Sequence, residues 1–306
     1  MKRLFKYTTA LLLLATLAAL ALIPALAEDV YMENEWDFVD GSMDISGGIP
    51  EDAQGALGHI REAGVLRVAT EPYFPPQEYI DSAKFGQEAY VGSDMEMARL
   101  IAQRMGVDLL IVPMEFSEVL EAVAEGTCDL AISALSYTPE RAGMMTLSKG
   151  YYFSDGVSGS GLMIRATDVG TINSLEDLED RDIVAQSGSL QEAQMAESVA
   201  FYRQFRRVGS IQAVYEAVRS GRADAAAVSL ETGAAYISKN PDCGLALVEN
   251  VTFDLDPQFQ GDRVAARKGE LQLIYFVNGV IDELLASGQY DRWYDEADAN
   301  AAALGM

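Results

Sequence analysis

The sequence predicts an α/β protein of two similar halves, each a central, mostly parallel sheet flanked by helices, with the chain crossing twice between them. Three observations lead there. Strand-length apolar runs alternate with amphipathic helical stretches twice over, one segment recurs at a fixed offset in the two series, and a Gly- and Ser-rich connection lies between them.

The chain opens with Lys2, Arg3 and Lys6, an apolar run over residues 11–23, and Ala25-Leu26-Ala27 as a small-residue cleavage signal. That is the pattern of a secretory signal peptide over residues 1–27. An uncleaved membrane anchor is the other reading of the same run. No cysteine directly follows it to carry a lipid. Residues 28–58 are acidic, contain Gly and Asp, and have no hydrophobic period. They read as a flexible tether, with folded structure expected from about His59.

The first series then begins. Val65–Thr70 is a short apolar strand, and Met97, Leu100, Ile101 and Met105 recur at helical spacing after Gly92. A strand at residues 109–112 follows. Phe116, Val119, Leu120 and Val123 mark one helix face, Gly126 stops that helix, and residues 129–133 return as a strand. The second series has the same order: strand Asp182–Gln186, a helix from Ser189, a strand at 206–208, a helix carrying Ile211, Val214, Tyr215 and Val218, and a strand at 224–228. Alternation of this kind implies right-handed crossovers and parallel strands.

The recurrence is clearest where VLEAVAEGTCDLAISA from Val119 is set against VYEAVRSGRADAAAVS from Val214, an offset of 95. Each copy is a helix, a Gly stop and a buried strand. Ala134 and Ser229 fall at equivalent places past equivalent strands, so the two sheets can present their strand ends to one shared cleft. FSDGVSGSG from Phe153 forms the connection between halves, and a second crossing fits residues 254–262. A strand at 263–267 follows, then a helix with Ile274, Val277, Ile281, Leu284 and Leu285 that could pack on either sheet.

Charge bounds the partners. Without the first 27 residues the chain has 19 Lys and Arg against 47 Asp and Glu, a formal charge of −28. Nucleic-acid binding is disfavoured, although one local arginine can still dominate a site. His59 is the only histidine, which argues against His-based catalysis and multi-histidine metal sites, and no cofactor motif is present. Cys128 and Cys243 are treated as free thiols.

The segment SALSYTPER over residues 133–141 sets two hydroxyls, free amides and the Arg141 guanidinium at the mouth of a buried strand. Arg141 can grip a carboxylate through two parallel charge-assisted hydrogen bonds, with Ser136 adding more. Taken alone, Thr138-Pro139 is equally the start of a helix bearing a solvated arginine. Gly188-Ser189 opens a helix in the second half, and Ser189 with Glu192 has capping-box spacing. Free amides there form an anion site, or serve only as a capped helix end.

These residues together resemble the family 3 extracellular solute-binding proteins, the amino-acid receptors of ATP-driven importers. The resemblance rests on VLRVATEPYFPPQEY from Val65, VGSDMEMARLIAQRMGV from Val91, DLAISALSYTPERAGMMTLSKGYY from Asp129, QSGSLQEA from Gln186 and SGRADAAAV from Ser220, in that order. It implies a two-lobed, type II periplasmic-binding fold whose lobes close on a ligand, with a discontinuous first lobe over residues 59–155 and 262–298 and a second over residues 156–261 with the hinge segments. Arg141 is then the residue for a ligand α-carboxylate, with Ser136, backbone at Ala134, and Gly188 and Ser189 from the second lobe. Phe74 and Phe116 match positions that pack around the ligand side chain, and Phe116 reads equally as core. Glu71 matches a position that often carries a side-chain-binding aspartate, with a surface glutamate as the other reading. Where the family usually places an ammonium-binding aspartate this chain has Ser229, and Glu231 is expected to substitute, with Ser229 adding a hydrogen bond.

The resemblance implies an exported, monomeric receptor, in the periplasm or on the outer face of the cytoplasmic membrane. It would capture a polar amino acid and deliver it to a membrane permease, with no metal, cofactor or catalysis. A cyclohexadienyl-dehydratase-like enzyme on the same fold, with Glu231 or Glu71 as general acid, is the alternative. A detached sensor module is a third.

Overall fold

Two five-stranded sheets carry the architecture, and each uses three parallel strands extended by antiparallel ones. The structure, a computed structural model, describes residues 38–153, 159–253 and 260–306. The leader over residues 1–27, the start of the acidic segment, and most of the two expected crossings lie outside the described residues.

The first lobe runs through helix α1 (Gly55–Ala63), strand β1 (Val65–Thr70), short strands β2 (Tyr73–Phe74), β3 (Glu78–Ile80) and β4 (Tyr90–Val91), and helix α2 (Ser93–Met105). It continues with β5 (Asp108–Pro113), α3 (Phe116–Glu125), β6 (Leu130–Ser136), α4 (Pro139–Met144) and β7 (Met145–Leu147). Leu66 and Val68 on β1 and Leu130, Ala131 and Ile132 on β6 are fully buried, as central strands covered on both faces must be. The helix α3 forms because Glu115 and Glu118 close a reciprocal capping box and Gly126 takes the left-handed conformation that ends it. Its apolar face, Phe116, Val119, Ala122 and Val123, is buried against the sheet.

The second lobe repeats this plan with β8 (Ser160–Arg165), β9 (Asp182–Gln186), α5 (Leu190–Ser198), β10 (Gln204–Val208), α6 (Ile211–Arg219), β11 (Ala225–Ser229), α7 (Leu230–Lys239) and β12 (Leu245–Phe253). Its strand order is β10-β9-β11-β8-β12. The chain then returns to the first sheet as β13 (Asp262–Arg267), giving the order β5-β1-β6-β13-β7. Helices α8 (Leu271–Ser287) and α9 (Gln289–Ala303) complete that lobe. Ile274, Val277, Ile281 and Leu284 are buried in the same core as β1 and β13, so α8 packs on the first sheet, while Leu285 stays exposed. Among the described residues no helix is long and apolar enough to cross a membrane.

The acidic segment is not a free tether over its described part. From Phe38 it is bound to the first lobe, with Ile45 and Ala53 in the core and Val39, Met43 and Ile49 packed against it. The reason is the spacing of single apolar residues between Gly and Asp, which fits an irregular strap and leaves no period to read. Asn278, fully buried on α8, fixes the strap by donating to the Val39 and Gly41 carbonyls at 2.6 and 2.7 Å and accepting from Lys149 N at 3.1 Å.

Replacing Asn278 with Ala leaves these part-buried backbone groups without that partner and the site of a fully buried side chain empty, and is expected to lower stability by about 1–3 kcal/mol in urea unfolding. An unchanged midpoint would show that the strap contributes nothing to the folded state.

Candidate functional site

The C-terminal ends of β1, β6, β9 and β11 converge on one cavity of about 320 Å³ between the lobes. This is where open α/β sheets hold ligands, because the crossovers on either side of a central strand diverge and leave a crevice. Residues from both lobes line it, Glu71, Phe116, Ser136 and Arg141 from the first and Gln186, Ser189, Ser229 and Glu231 from the second among them.

Arg141 is its cation. Thr138 caps α4 by accepting from Arg141 N at 3.1 Å, and Pro139 occupies the first turn. The turn is thus a helix start, but the guanidinium is not solvated, since Arg141 is only 4% exposed. It donates from Nη1 to Ser136 O at 2.6 Å and from Nη2 to Gly188 O at 3.0 Å, and its Cζ lies 5.4 Å from the centre of the Phe116 ring. Of the five guanidinium N–H groups, three remain without an acceptor among the described residues. Arg141 forms no ion pair among the described residues, and burial pulls its pKa down to about 10 against the opposing pull of Asp262 and Glu140.

Opposite it, Gly188 takes a left-handed φ of 75° and Ser189 begins α5. Ser189 Oγ accepts from Glu192 N at 3.0 Å, while Glu192 Oε2 accepts from Gly188 N at 2.7 Å. The capping box therefore occupies the Gly188 amide, and Ser189 N bonds Gln186 O at 3.2 Å. The first-turn amides of Leu190 and Gln191, both lining the cavity, have no intrahelical acceptor and face the positive end of the helix.

The remaining lining is acidic. Glu71, 2% exposed, accepts from Gln186 Nε2 at 2.6 Å and from Ile211 N at 3.3 Å, so a first-lobe carboxylate is solvated by second-lobe donors. Burial nevertheless pushes its pKa up to about 7. Glu78, 1% exposed, accepts from Ser133 Oγ at 2.9 Å, and its Oε2 has no partner among the described residues. Burial and the neighbouring charge of Asp94 raise its pKa well above the ordinary carboxylate value. Asp262 accepts from Gln77 Nε2 at 2.6 Å and is likewise pushed up to about 7 by burial and Asp94.

Asp94 underlies the site without lining it. It accepts from Tyr290 OH at 2.6 Å, Tyr151 OH at 2.8 Å and Ala134 N at 3.0 Å. That last bond holds Ala134 at a φ of 47°, a left-handed conformation that alanine rarely adopts. The Ala134 amide is consequently directed at Asp94.

Of the residues named from the sequence, Glu71, Phe74, Phe116, Ala134, Ser136, Arg141, Ser189, Ser229 and Glu231 all line the cavity. Gly188 contributes through its carbonyl to Arg141. Phe116 is also core, packed with Val119 and Leu135. Ser229 serves as the N-cap of α7, accepting from Thr232 N at 3.4 Å and Thr232 Oγ1 at 3.3 Å. Glu231 accepts from Tyr294 OH across the cleft at 2.8 Å. Sequence patterns do not single out Gln77, Glu78, Gln186, Asp262 or Tyr294 as site residues. Their only linear trace is position, since Gln186 ends a strand and Asp262 begins one.

Comparison with known proteins agrees with this architecture. The chain is 26% identical over 230 residues to the arginine-binding extracellular protein ArtP of Bacillus subtilis, covering 74% of this chain and 83% of that protein. A crystal structure of the amino acid ABC transporter substrate-binding protein AbpA from Streptococcus pneumoniae, bound to L-arginine, superposes with a TM-score of 0.69 at 31% identity, covering 80% of this chain and 98% of that one. A shorter match, 34% identical over 85 residues, is to cyclohexadienyl dehydratase of Pseudomonas aeruginosa, covering 28% of this chain and 30% of that protein. The model of the bacterial extracellular solute-binding proteins, family 3, matches residues 66–297. With both sheets, the interlobe cavity and this match in agreement, the chain belongs to the bacterial extracellular solute-binding proteins, family 3.

Proposed function

We propose that this protein is an exported receptor that captures an amino acid with a cationic side chain between its lobes and passes it to a membrane importer of the ATP-driven class. The observation that carries the reading is the charge pattern of the cavity: one buried guanidinium without a counter-ion, in a lining that also holds Glu71, Glu78, Asp262 and Glu231. A ligand carboxylate completes Arg141, with the Leu190 and Gln191 amides on the far side. A cationic side chain relieves the acids, whose burial unpaired is unfavourable. The L-arginine bound by the similar AbpA structure supports the same class of ligand.

Closure is the working step. Glu71 with Gln186 and Ile211, Arg141 with Gly188, and Tyr294 with Glu231 all join the lobes, so these bonds exist only when the cleft is shut. The ligand favours the shut state by adding contacts from both sides. One observation favours a second reading: Glu78 lines the cavity with its pKa raised by burial and by Asp94, the direction a general acid for a dehydratase requires. Turnover of arogenate or prephenate by the purified protein would establish that reading.

In a thermal-shift panel of the amino acids with ornithine and citrulline, L-arginine, L-lysine or L-ornithine is expected to raise the midpoint, since a ligand at ~100 times its Kd adds about 2.7 kcal/mol to stability. Arg141→Lys should weaken binding about 100-fold, because an ammonium loses the two-pronged grip on carboxylate. No shift with any cationic amino acid would overturn the proposal.

The buried acids also set a pH dependence for the ligand-free protein. Glu71 and Asp262 hold protons more tightly folded than unfolded, so their stabilising contribution is full below the ordinary carboxylate range and is lost as pH rises through about 7. The ligand-free midpoint should be higher at pH 5.5 than at pH 7.5, by about 3 °C or more. Glu71→Gln should flatten that slope, and an unchanged slope would exclude Glu71 as its source.

A further inference from the structure

The family position for an ammonium-binding aspartate is a serine here, and Ser229 is engaged as a helix cap. Resting on the proposed capture of an amino acid, we infer that Asp262, at the start of the strand that returns from the second lobe, is the residue that binds the ligand's α-ammonium.

Register places it there. In the antiparallel pairing of β13 with β6, Asp262 is the Cα partner of Ser136, the residue whose carbonyl holds Arg141. Opposed residues on such strands lie roughly 4.5–5.5 Å apart. An α-amino acid carries its ammonium one carbon from its carboxylate, so an acid beside the carboxylate anchor meets the ammonium of a ligand gripped by Arg141. The backbone of Asp262 is fixed on both sides, its N–H donating to Tyr152 O at 3.0 Å and its carbonyl accepting from Tyr151 N at 2.9 Å. Gln77 Nε2 orients the side chain by donating to Oδ2, and Oδ1 accepts no hydrogen bond among the described residues.

The other acids of the cavity are engaged elsewhere. Glu71 accepts two second-lobe donors, one at each oxygen. Glu78 accepts from Ser133 Oγ and is only 1% exposed, whereas Asp262 is half-buried and opens on the cavity. Asp298 is paired with Lys239 at 3.2 Å. Glu231 accepts from Tyr294 and sits in the first turn of α7, where the helix end already favours its negative charge. Asp262 is the half-buried carboxylate that has an open oxygen, no cation within ion-pair distance among the described residues, and a backbone position adjoining the carboxylate anchor. The charged side chains that meet the ligand's α-carboxylate and α-ammonium would then both belong to the first lobe, with the second lobe adding the Leu190 and Gln191 amides.

The test compares L-arginine with 5-guanidinopentanoic acid, the same molecule without its α-amino group, by calorimetry on the wild type, Asp262→Asn, Asp262→Glu and Glu231→Gln. Asp262→Asn is expected to weaken L-arginine by about 30-fold or more, the loss typical of an unpaired buried charge, and to leave the deaminated analogue within about threefold. Asp262→Glu should recover part of the affinity for L-arginine alone, whereas Glu231→Gln, which weakens the closing bond to Tyr294, should lower the affinity for L-arginine and for the deaminated analogue by the same factor. Retained binding of the analogue also shows that the variant is folded. The assignment is overturned if Asp262→Asn leaves L-arginine unchanged or weakens both ligands equally, or if Glu231→Gln weakens L-arginine alone. A wild type that ignores cationic amino acids but binds another defeats only the proposed ligand class, and the same comparison is then made with that amino acid and its deaminated form. A wild type that binds no amino acid defeats both readings.

Discussion

A positive charge enclosed away from water is the constraint around which this molecule is arranged. Removing a guanidinium from solvent is costly, and the protein offsets only part of that cost with two carbonyl oxygens and an aromatic face. One carbonyl comes from each lobe, so the enclosure itself depends on the lobes being together. The depressed pKa of Arg141 expresses the shortfall. On the proposed reading, a ligand carboxylate would make good that shortfall, so the closed cleft would be more favourable with ligand than without.

The geometry around that charge is inherited from the core of the first lobe. Tyr151 and Tyr290, both buried, hold Asp94, and Asp94 holds Ala134, the left-handed residue within β6. The strand then continues to Ser136, whose carbonyl fixes Arg141. A further link is the close approach of Gly92, where a Cβ would lie 2.2 Å from the Gln77 carbonyl, so that glycine lets the turn bearing Gln77 and Glu78 fold against α2. Polar residues under the cavity thus act as a rigid frame, each satisfied by the next.

Much of this was legible in the sequence, for reasons that differ by element. Strands such as Val65–Thr70 and Asp182–Gln186 are short apolar runs with clear boundaries, and α3 carries its stop at Gly126. Arg141 and Ser136 sit in a local segment whose chemistry can be read directly. The strap from Phe38 could not be read, because isolated apolar residues in an acidic stretch have no period, and their burial depends on a groove made partly by a helix more than two hundred residues later. Asp262 and Tyr294 were hidden for the same physical reason: their neighbours in the cavity are set by strand register and helix docking, which no linear pattern encodes. Ser229 illustrates the converse, a position visible in the recurring segment whose side chain is taken up by helix capping.

The insertion of β13 between β6 and β7 has a consequence for the order in which the chain acquires structure. The first sheet is missing an interior strand, and its core lacks Phe276, Val277 and Val280, until the last quarter of the polypeptide is available. The second lobe, by contrast, is continuous from β8 to β12 and has all its own strands in hand earlier. Contacts of such long sequence separation slow folding, because a large loop must close before they form. A chain emerging from its N-terminus therefore completes its middle first and its beginning last.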